Sequence, residues 1–208
     1  METARSLGSR AGILCGVLAP LLWASVIVLC GTLRPGFSHF AQYISELGER
    51  GSSTEVLMRY GAFVPTGLMH LAFAGALATR FGTSRPGVLA AILLGLNGLA
   101  RIGAGYFPCE VGCGETSSLG QRMHSLSAAV GFLTLVASTV LWGIVFRGTR
   151  DLRNLASYSA LSGALGLAFL LLMVWSVEQE SARGLFERLS SGVLSLWILV
   201  FALRLQRR

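Results

Sequence analysis

The sequence predicts an all-α protein: a six-helix transmembrane bundle with a short interfacial helix in its first outer loop. Three observations carry this. Hydrophobic residues make up 53% of the 208 positions and charged residues 13%, against about 25% charged in an ordinary soluble domain. The mean hydropathy is +0.64. Six apolar runs, at 11–31, 57–79, 86–106, 124–146, 155–177 and 186–203, are separated by short polar connections. Crossing about 30 Å of hydrocarbon takes roughly 20 helical residues, which these runs approach or reach. Six spans leave no room for a soluble domain, so residues 1–208 read as a single integral membrane domain, without internal repeat or low-complexity tract.

The first run follows Arg5 and Arg10, as a signal peptide would, but its apolar stretch exceeds the usual 7–15 residues, so it reads as a retained anchor. The second is announced by Ser52-Ser53-Thr54-Glu55, which has the Ser-x-x-Glu form of a capping box. Pro86 suits the first turn of the third helix. The fourth is preceded by Ser118 to Gln121, again of capping-box form. Small residues four apart (Gly12 and Gly16, Ser159 and Gly163, Ser162 and Gly166, Ser191 and Ser195) allow helix backbones to approach closely in lipid.

Basic residues set the expected orientation. All 17 are arginine. Arg5 and Arg10, Arg80 and Arg85, Arg147, Arg150 and Arg153, and Arg204, Arg207 and Arg208 fall in regions that six spans place on one side. That side is expected to be the cytoplasm, with both termini inside and the plasma membrane as location. The loops 32–56, 107–123 and 178–185 then face outward and hold most of the acids. The net charge of +7 would suggest nucleic acid in a soluble protein. Here the arginines punctuate apolar runs and form no patch, so the expected partners are membrane lipids and not nucleic acid.

In the first outer loop, Phe37, Phe40, Ile44 and Leu47 follow helical spacing, with Gln42, Glu46 and Glu49 off that stripe. The pattern predicts a short amphipathic helix on the membrane surface or tucked over the bundle.

The region 100–131 raises the chemical question. Arg101 lies about five residues, or roughly 7–8 Å, below the outer end of the third run. Asn97 is one turn deeper on the same face. An arginine inside an apolar span costs a few kcal/mol before snorkelling relieves it, so Arg101 either snorkels to the interface or faces a polar cavity with Glu46, Glu110 or Glu178 as partner. Glu46 is the expected partner. His124, Ser127, Gly131, Thr134 and Ser138 form one polar stripe, and Arg59, Thr66 and His70 another. Both are also what ordinary interhelical hydrogen bonding would use.

Cys109 and Cys113 lie in an outward loop, where disulfides persist, and Val111-Gly112 permits a tight turn between them, so a bridge is expected. Cys15 and Cys30 are roughly 22 Å apart on one helix and cannot pair with each other. Cys-x-x-x-Cys followed by one histidine is too thin a ligand set for a metal, and no cofactor is expected.

"YISELGERGSSTEVLMRYGAFVPTGL", residues 43–68, resembles the Ser-Glu-Leu-Gly stretch typical of the domain-of-unknown-function 998 family. "YFPCEVGCGETSSLGQRMHSLSAAVGF", residues 106–132, is similar to that family's Phe-Pro-Cys-acid-x-Gly-Cys loop followed by a histidine. Glu110 stands where aspartate is the commoner residue. Motif order and helix plan agree over most of the chain. The resemblance implies a multi-pass membrane protein of uncharacterised activity.

Together these residues predict an outer-leaflet polar pocket for a lipid headgroup or small anion. Arg101, Glu46, Asn97, His39, Glu110 and Glu178 would bind the ligand, with arginine meeting phosphate or carboxylate. If the protein modifies lipids, His124 would be the general base and Ser45 or water the nucleophile. No Gly-x-Ser-x-Gly, His-Glu-x-x-His or phosphate-binding glycine loop is present, so enzyme status stays open. The alternatives are a small proton-coupled transporter, which would need to pair as a homo-oligomer to be of ordinary size, and a non-catalytic structural or assembly membrane protein.

Overall fold

The computed structural model describes residues 2–114, 118–178 and 181–207. Among these described residues six helices are long and apolar enough to cross a membrane: α1 Glu2–Leu33, α2 Glu55–Phe81, α3 Arg85–Tyr106, α4 Leu119–Gly148, α5 Ala156–Glu178 and α6 Arg183–Gln206. Five of them contain the whole apolar run that predicts them, and α5 begins one residue late, after the 3₁₀ turn Arg150–Leu155. Ser84 caps α3, its hydroxyl accepting from Gly87 N–H at 3.3 Å, with Pro86 in the first turn. Ser118 caps α4 in the same way from Gln121 N–H at 3.1 Å. His124 therefore sits more than a turn inside α4.

Ser52 does not cap α2. Its hydroxyl donates to Leu47 O at 3.2 Å, the N-cap position falls to Thr54, and Glu55 reaches back to Gly51 N–H at 2.8 Å. The preceding loop captures the serine before the helix can use it. Within α2, residues Arg59–Phe63 form a π turn. Pro65 lacks an N–H and its ring would crowd the carbonyl four residues back, so the wider turn just before it accommodates the proline without ending the helix.

Each helix packs on its neighbours in sequence, and α1 closes the ring against α6. Gly12 is one reason α1 lies so close to α2: a Cβ there would meet Ala72 O at 2.5 Å. Helix α4 also touches α6, which leaves α5 outboard. Only 22% of the apolar window containing α5 is buried, against 39–50% for the other spans.

Both termini and the connections 82–84 and 149–155 lie at one end, the terminal end; residues 34–54 and the disulfide loop lie at the other, the loop end. The terminal half is filled by aromatic rings. Trp142, Phe146, Phe201 and Trp197 are fully buried there, with Phe146 and Trp142 at 4.8 Å and 5.0 Å from Phe201, centroid to centroid.

At the loop end, the expected short helix is a single 3₁₀ turn, Ser45–Gly48, tucked over the bundle. Ile44 and Leu47 are buried as their spacing predicts, while Phe40 is exposed. Glu46 and Glu49, off the apolar stripe, are also buried. They tolerate this because the irregular backbone offers them donors. Tyr43 N–H and Gln42 Nε2 reach the Glu46 carboxylate at 2.9 and 2.7 Å, and Gly112 N–H reaches Glu49 at 2.6 Å. The expected bridge is formed between Cys109 and Cys113, across a turn in which Gly112 takes φ +73°, a backbone region open to glycine.

Candidate functional site

Arg101 projects from α3 toward α1 and α2. Its guanidinium carbon lies 4.0 Å above the centre of the Trp23 ring, a cation–π contact worth about 1–2 kcal/mol away from water. Its Nη1 donates to Thr66 Oγ1 at 3.2 Å. That oxygen has a lone pair to give because the Thr66 hydroxyl proton is directed to Ala62 O at 2.7 Å. Trp23 is fixed in turn: its Nε1–H donates to Ser191 Oγ of α6 at 2.9 Å. Among the described residues no carboxylate lies within ion-pair distance of Arg101.

One turn deeper, Asn97 joins three helices. Its Oδ1 lies 2.6 Å from His70 Nδ1 on α2, and its Nδ2 donates to Gly131 O on α4 at 2.8 Å. The two polar stripes read from the sequence thus converge on α3.

His124 holds its Nδ1 at 2.8 Å from Phe107 O and 3.1 Å from Ala104 O. Both neighbours are acceptors, so Nδ1 carries the proton and Nε2 is left with its lone pair. Glu187, 8% exposed, accepts from Ile44 N–H at 2.6 Å through one carboxylate oxygen.

Arg101, Asn97, His124, Ser45 and Glu187 line a cavity of about 60 Å³ under Ile44, room for a few water molecules. A wider cleft of about 380 Å³ adjoins it, sharing Ser45, His124, Ala128, Phe132 and Glu187.

The remaining candidates fall elsewhere. Ser45 reaches the cavity wall, but its hydroxyl lies 3.3 Å from Cys113 Sγ; a bridged sulfur has no proton, so the serine is the donor. No hydrogen bond joins it to His124 among the described residues. Glu46, the expected partner of Arg101, is instead 3.7 Å from Arg183 Nη2 and held by the loop donors named above. Glu110 faces Arg50 at 3.5 Å and accepts from the Ser118 hydroxyl at 3.0 Å; it staples the disulfide loop and does not line the cavity. His39 is exposed on the first loop, with Nδ1 accepting from Arg188 Nε at 3.0 Å. Partial burial and then the nearby Arg188 charge hold its pKa below the usual histidine value. The Glu178 side chain lies outside the described residues.

Sequence reasoning did not single out Glu187 or Trp23. Glu187 is an acid one turn inside an apolar helix, three and four residues before Ser190 and Ser191, a polar face that could have signalled it. Nothing in the sequence ties Trp23 to a residue so far along the chain as Arg101. His124 and Glu187 are metal-type donors, but among the described residues no group of three or more His, Cys, Asp or Glu is close enough to hold an ion.

A family model described as a protein of unknown function, DUF998, matches residues 17–204. The chain belongs to that family. No curated protein and no solved structure matches it. The match to DUF998 runs from the middle of α1 through most of α6 and so includes every residue of the cavity, but the family description attaches no chemistry to them. The roles of these residues rest on their geometry.

Proposed function

We propose that the loop-end cavity binds an anionic oxygen group, a lipid phosphate or a small oxyanion, with Arg101 as its anchor. One observation carries this reading. Arg101 is a cation inside an apolar bundle, held by an aromatic face and a single hydroxyl, with no carboxylate paired to it among the described residues. A guanidinium presents five N–H donors in a fork that matches phosphate and carboxylate. Among the described residues it has one hydrogen-bond acceptor, Thr66, and Arg101 is one of the residues that line the cavity.

The test is equilibrium binding to the purified protein in nanodiscs, using phosphatidylglycerol and inorganic phosphate as probes. Arg101→Ala is expected to weaken binding about tenfold to a hundredfold, the loss of one charge-assisted contact. Arg101→Lys recovers only part of it, because an ammonium lacks the fork. Unchanged affinity in Arg101→Ala rules the reading out.

The same reading places the terminal end in the cytoplasm of a plasma membrane, on the arginine bias, and the cavity toward the outside. An impermeant thiol reagent applied to whole cells should label a cysteine introduced at Ser52 and spare one at Ser84. The reverse pattern inverts the orientation.

A further inference from the structure

We infer that the ligand is a lipid that reaches the cavity sideways, between α4 and α5, and leaves a hydrocarbon chain in that gap. This rests on the reading of Arg101 as an anion anchor and goes beyond it, because it chooses between a lipid and a soluble oxyanion.

The described residues of the first loop and the disulfide loop cover the loop end over α1, α2 and α6. Ile44, Leu47 and Cys109 are buried over the bundle. The cover is sewn down on several sides: Arg50 N–H donates to Cys109 O at 2.9 Å, Gly112 N–H to Glu49 at 2.6 Å, Ile44 N–H to Glu187 at 2.6 Å and Leu185 N–H to Phe40 O at 2.9 Å. At Gly184 the first loop lies so close that a Cβ would meet Gln42 O at 2.2 Å. A solute arriving along the bundle axis would have to undo these contacts.

The side is different. The wide cleft meets the Arg101 cavity at His124, Ser45 and Glu187, has Tyr43, Cys113, Gln121 and Ser125 at its loop end, and on its outer side runs between Ala129 and Leu133 of α4 and Leu170, Met173 and Val174 of α5. Those walls are apolar. Leu133 and Val174, at 57% and 61% exposure, stand on the outer surface of the bundle, which hydrocarbon covers in a membrane. Helix α5 is the outboard helix, packed mainly against α4 and α6 and the least buried of the six spans, so the gap lies beside the least enclosed span. The volume of about 380 Å³ falls within the roughly 300–1,000 Å³ range of ligand clefts. A polar inner chamber joined to an apolar, laterally facing cleft has the polarity profile of one lipid molecule. The headgroup belongs at Arg101, its polar atoms near His124 and Glu187 at the junction, and a chain against Met173 and Leu133.

The experiment compares dioleoyl phosphatidylglycerol with glycerophosphoglycerol, the same headgroup without chains, on wild type, Arg101→Ala, Met173→Ser and Ala129→Trp. Neither Met173 nor Ala129 lines the Arg101 cavity. Wild type should bind the lipid at least about tenfold more tightly than the deacylated headgroup, since each methylene in a hydrophobic pocket contributes measurably. Met173→Ser should weaken the lipid about tenfold and leave glycerophosphoglycerol unchanged, which also shows that the variant is folded. Ala129→Trp, which fills the gap, should abolish lipid retention through purification. If Met173→Ser and Ala129→Trp both retain lipid as wild type does, or if the deacylated headgroup binds as well as the lipid, the sideways route is wrong while the anion site stands. If Arg101→Ala binds both probes normally, the anion site itself is wrong.

Discussion

In the terminal half of the bundle, Phe201 has Trp142, Phe146 and Trp197 within 4.8–5.6 Å, centroid to centroid, and the space between α2, α4 and α6 is filled by rings. In the loop half, the same ring of helices surrounds Arg101, Asn97, His124 and Glu187 and a cavity. The two halves share helices, lengths and lipid environment. They differ in what closes them. The aromatic half is closed by shape, with rings that meet edge to face at Phe146–Phe201, tilted at Trp142–Phe201 and Trp197–Phe201 and stacked at Trp142–Phe146; favourable ring pairs add about 0.5–1.5 kcal/mol each beyond contact area. The hollow half is closed by fastening: a disulfide, buried glutamates satisfied by loop N–H groups, and arginines paired with acids as Arg34 is with Glu49 at 2.5 Å. Packing in hydrocarbon gains little from excluding water, because lipid is as apolar as the side chains. A cavity is therefore tolerated where polar groups are held by hydrogen bonds and covered, and rings are needed where they are not.

The contrast breaks most visibly at Trp142. Trp142→Ala empties a site between Phe81, Phe146 and Phe201 and should cost about 3–5 kcal/mol of stability, read as a shift in the unfolding midpoint in a denaturing-detergent titration. Its affinity for phosphatidylglycerol should stay as in wild type, because distant sites with no shared partner act independently. Arg101→Ala should do the opposite, losing affinity with a smaller shift in midpoint than Trp142→Ala. If Trp142→Ala weakens binding as much as Arg101→Ala does, the halves are one cooperative unit and the comparison fails.

What the sequence makes legible follows the same division. The six spans are readable because each is a long apolar run, and at α3 and α4 the caps Ser84 and Ser118 act locally as expected. The bridge between Cys109 and Cys113 is readable because its partners are four residues apart. Arg101, Asn97 and His124 are visible as polar residues inside or beside apolar runs, and they do line one cavity. Their partners are not visible. Glu46 looks available for Arg101 because a helical stripe would present it to the bundle. The chain instead makes turns there, and those turns, with Gln42 and Arg183, take up its carboxylate. Ser52 is misread for the same reason, its hydroxyl serving Leu47 O. Contacts within one helix follow from spacing. Contacts between a loop and a distant helix, such as Ile44 with Glu187, follow from a path through space that spacing does not encode.

The smallest expected effect concerns the fastening itself. His39 Nδ1 accepts a hydrogen bond from Arg188 Nε, which requires an unprotonated nitrogen. Its ring rests so close to α1 that a Cβ on Gly31 would meet Nε2 at 2.3 Å, and Phe37 stands edge-on at 5.2 Å. Arg188 also donates to Gln42 O at 2.7 Å and Gly184 O at 2.8 Å, so this contact is one of several holding the first loop to α6. Burial and the Arg188 charge lower the His39 pKa in the folded protein below the ordinary histidine value of 6.5. The sign follows from linkage: the undocked loop takes up the proton first, so the contribution is present above pH 6.5 and is lost as pH falls through that value and below the lowered one. Hydrogen exchange of residues 38–46, corrected for the intrinsic pH dependence of exchange, should rise modestly from pH 7.5 to pH 5. Exchange around Trp142 should not. His39→Phe keeps a ring over Gly31 without a titrating nitrogen and should remove the pH step. If residues 38–46 exchange equally at both pH values in wild type, the His39 contact does not fasten the loop, and its attachment to α6 rests on the Arg188 and Glu187 bonds to the loop backbone.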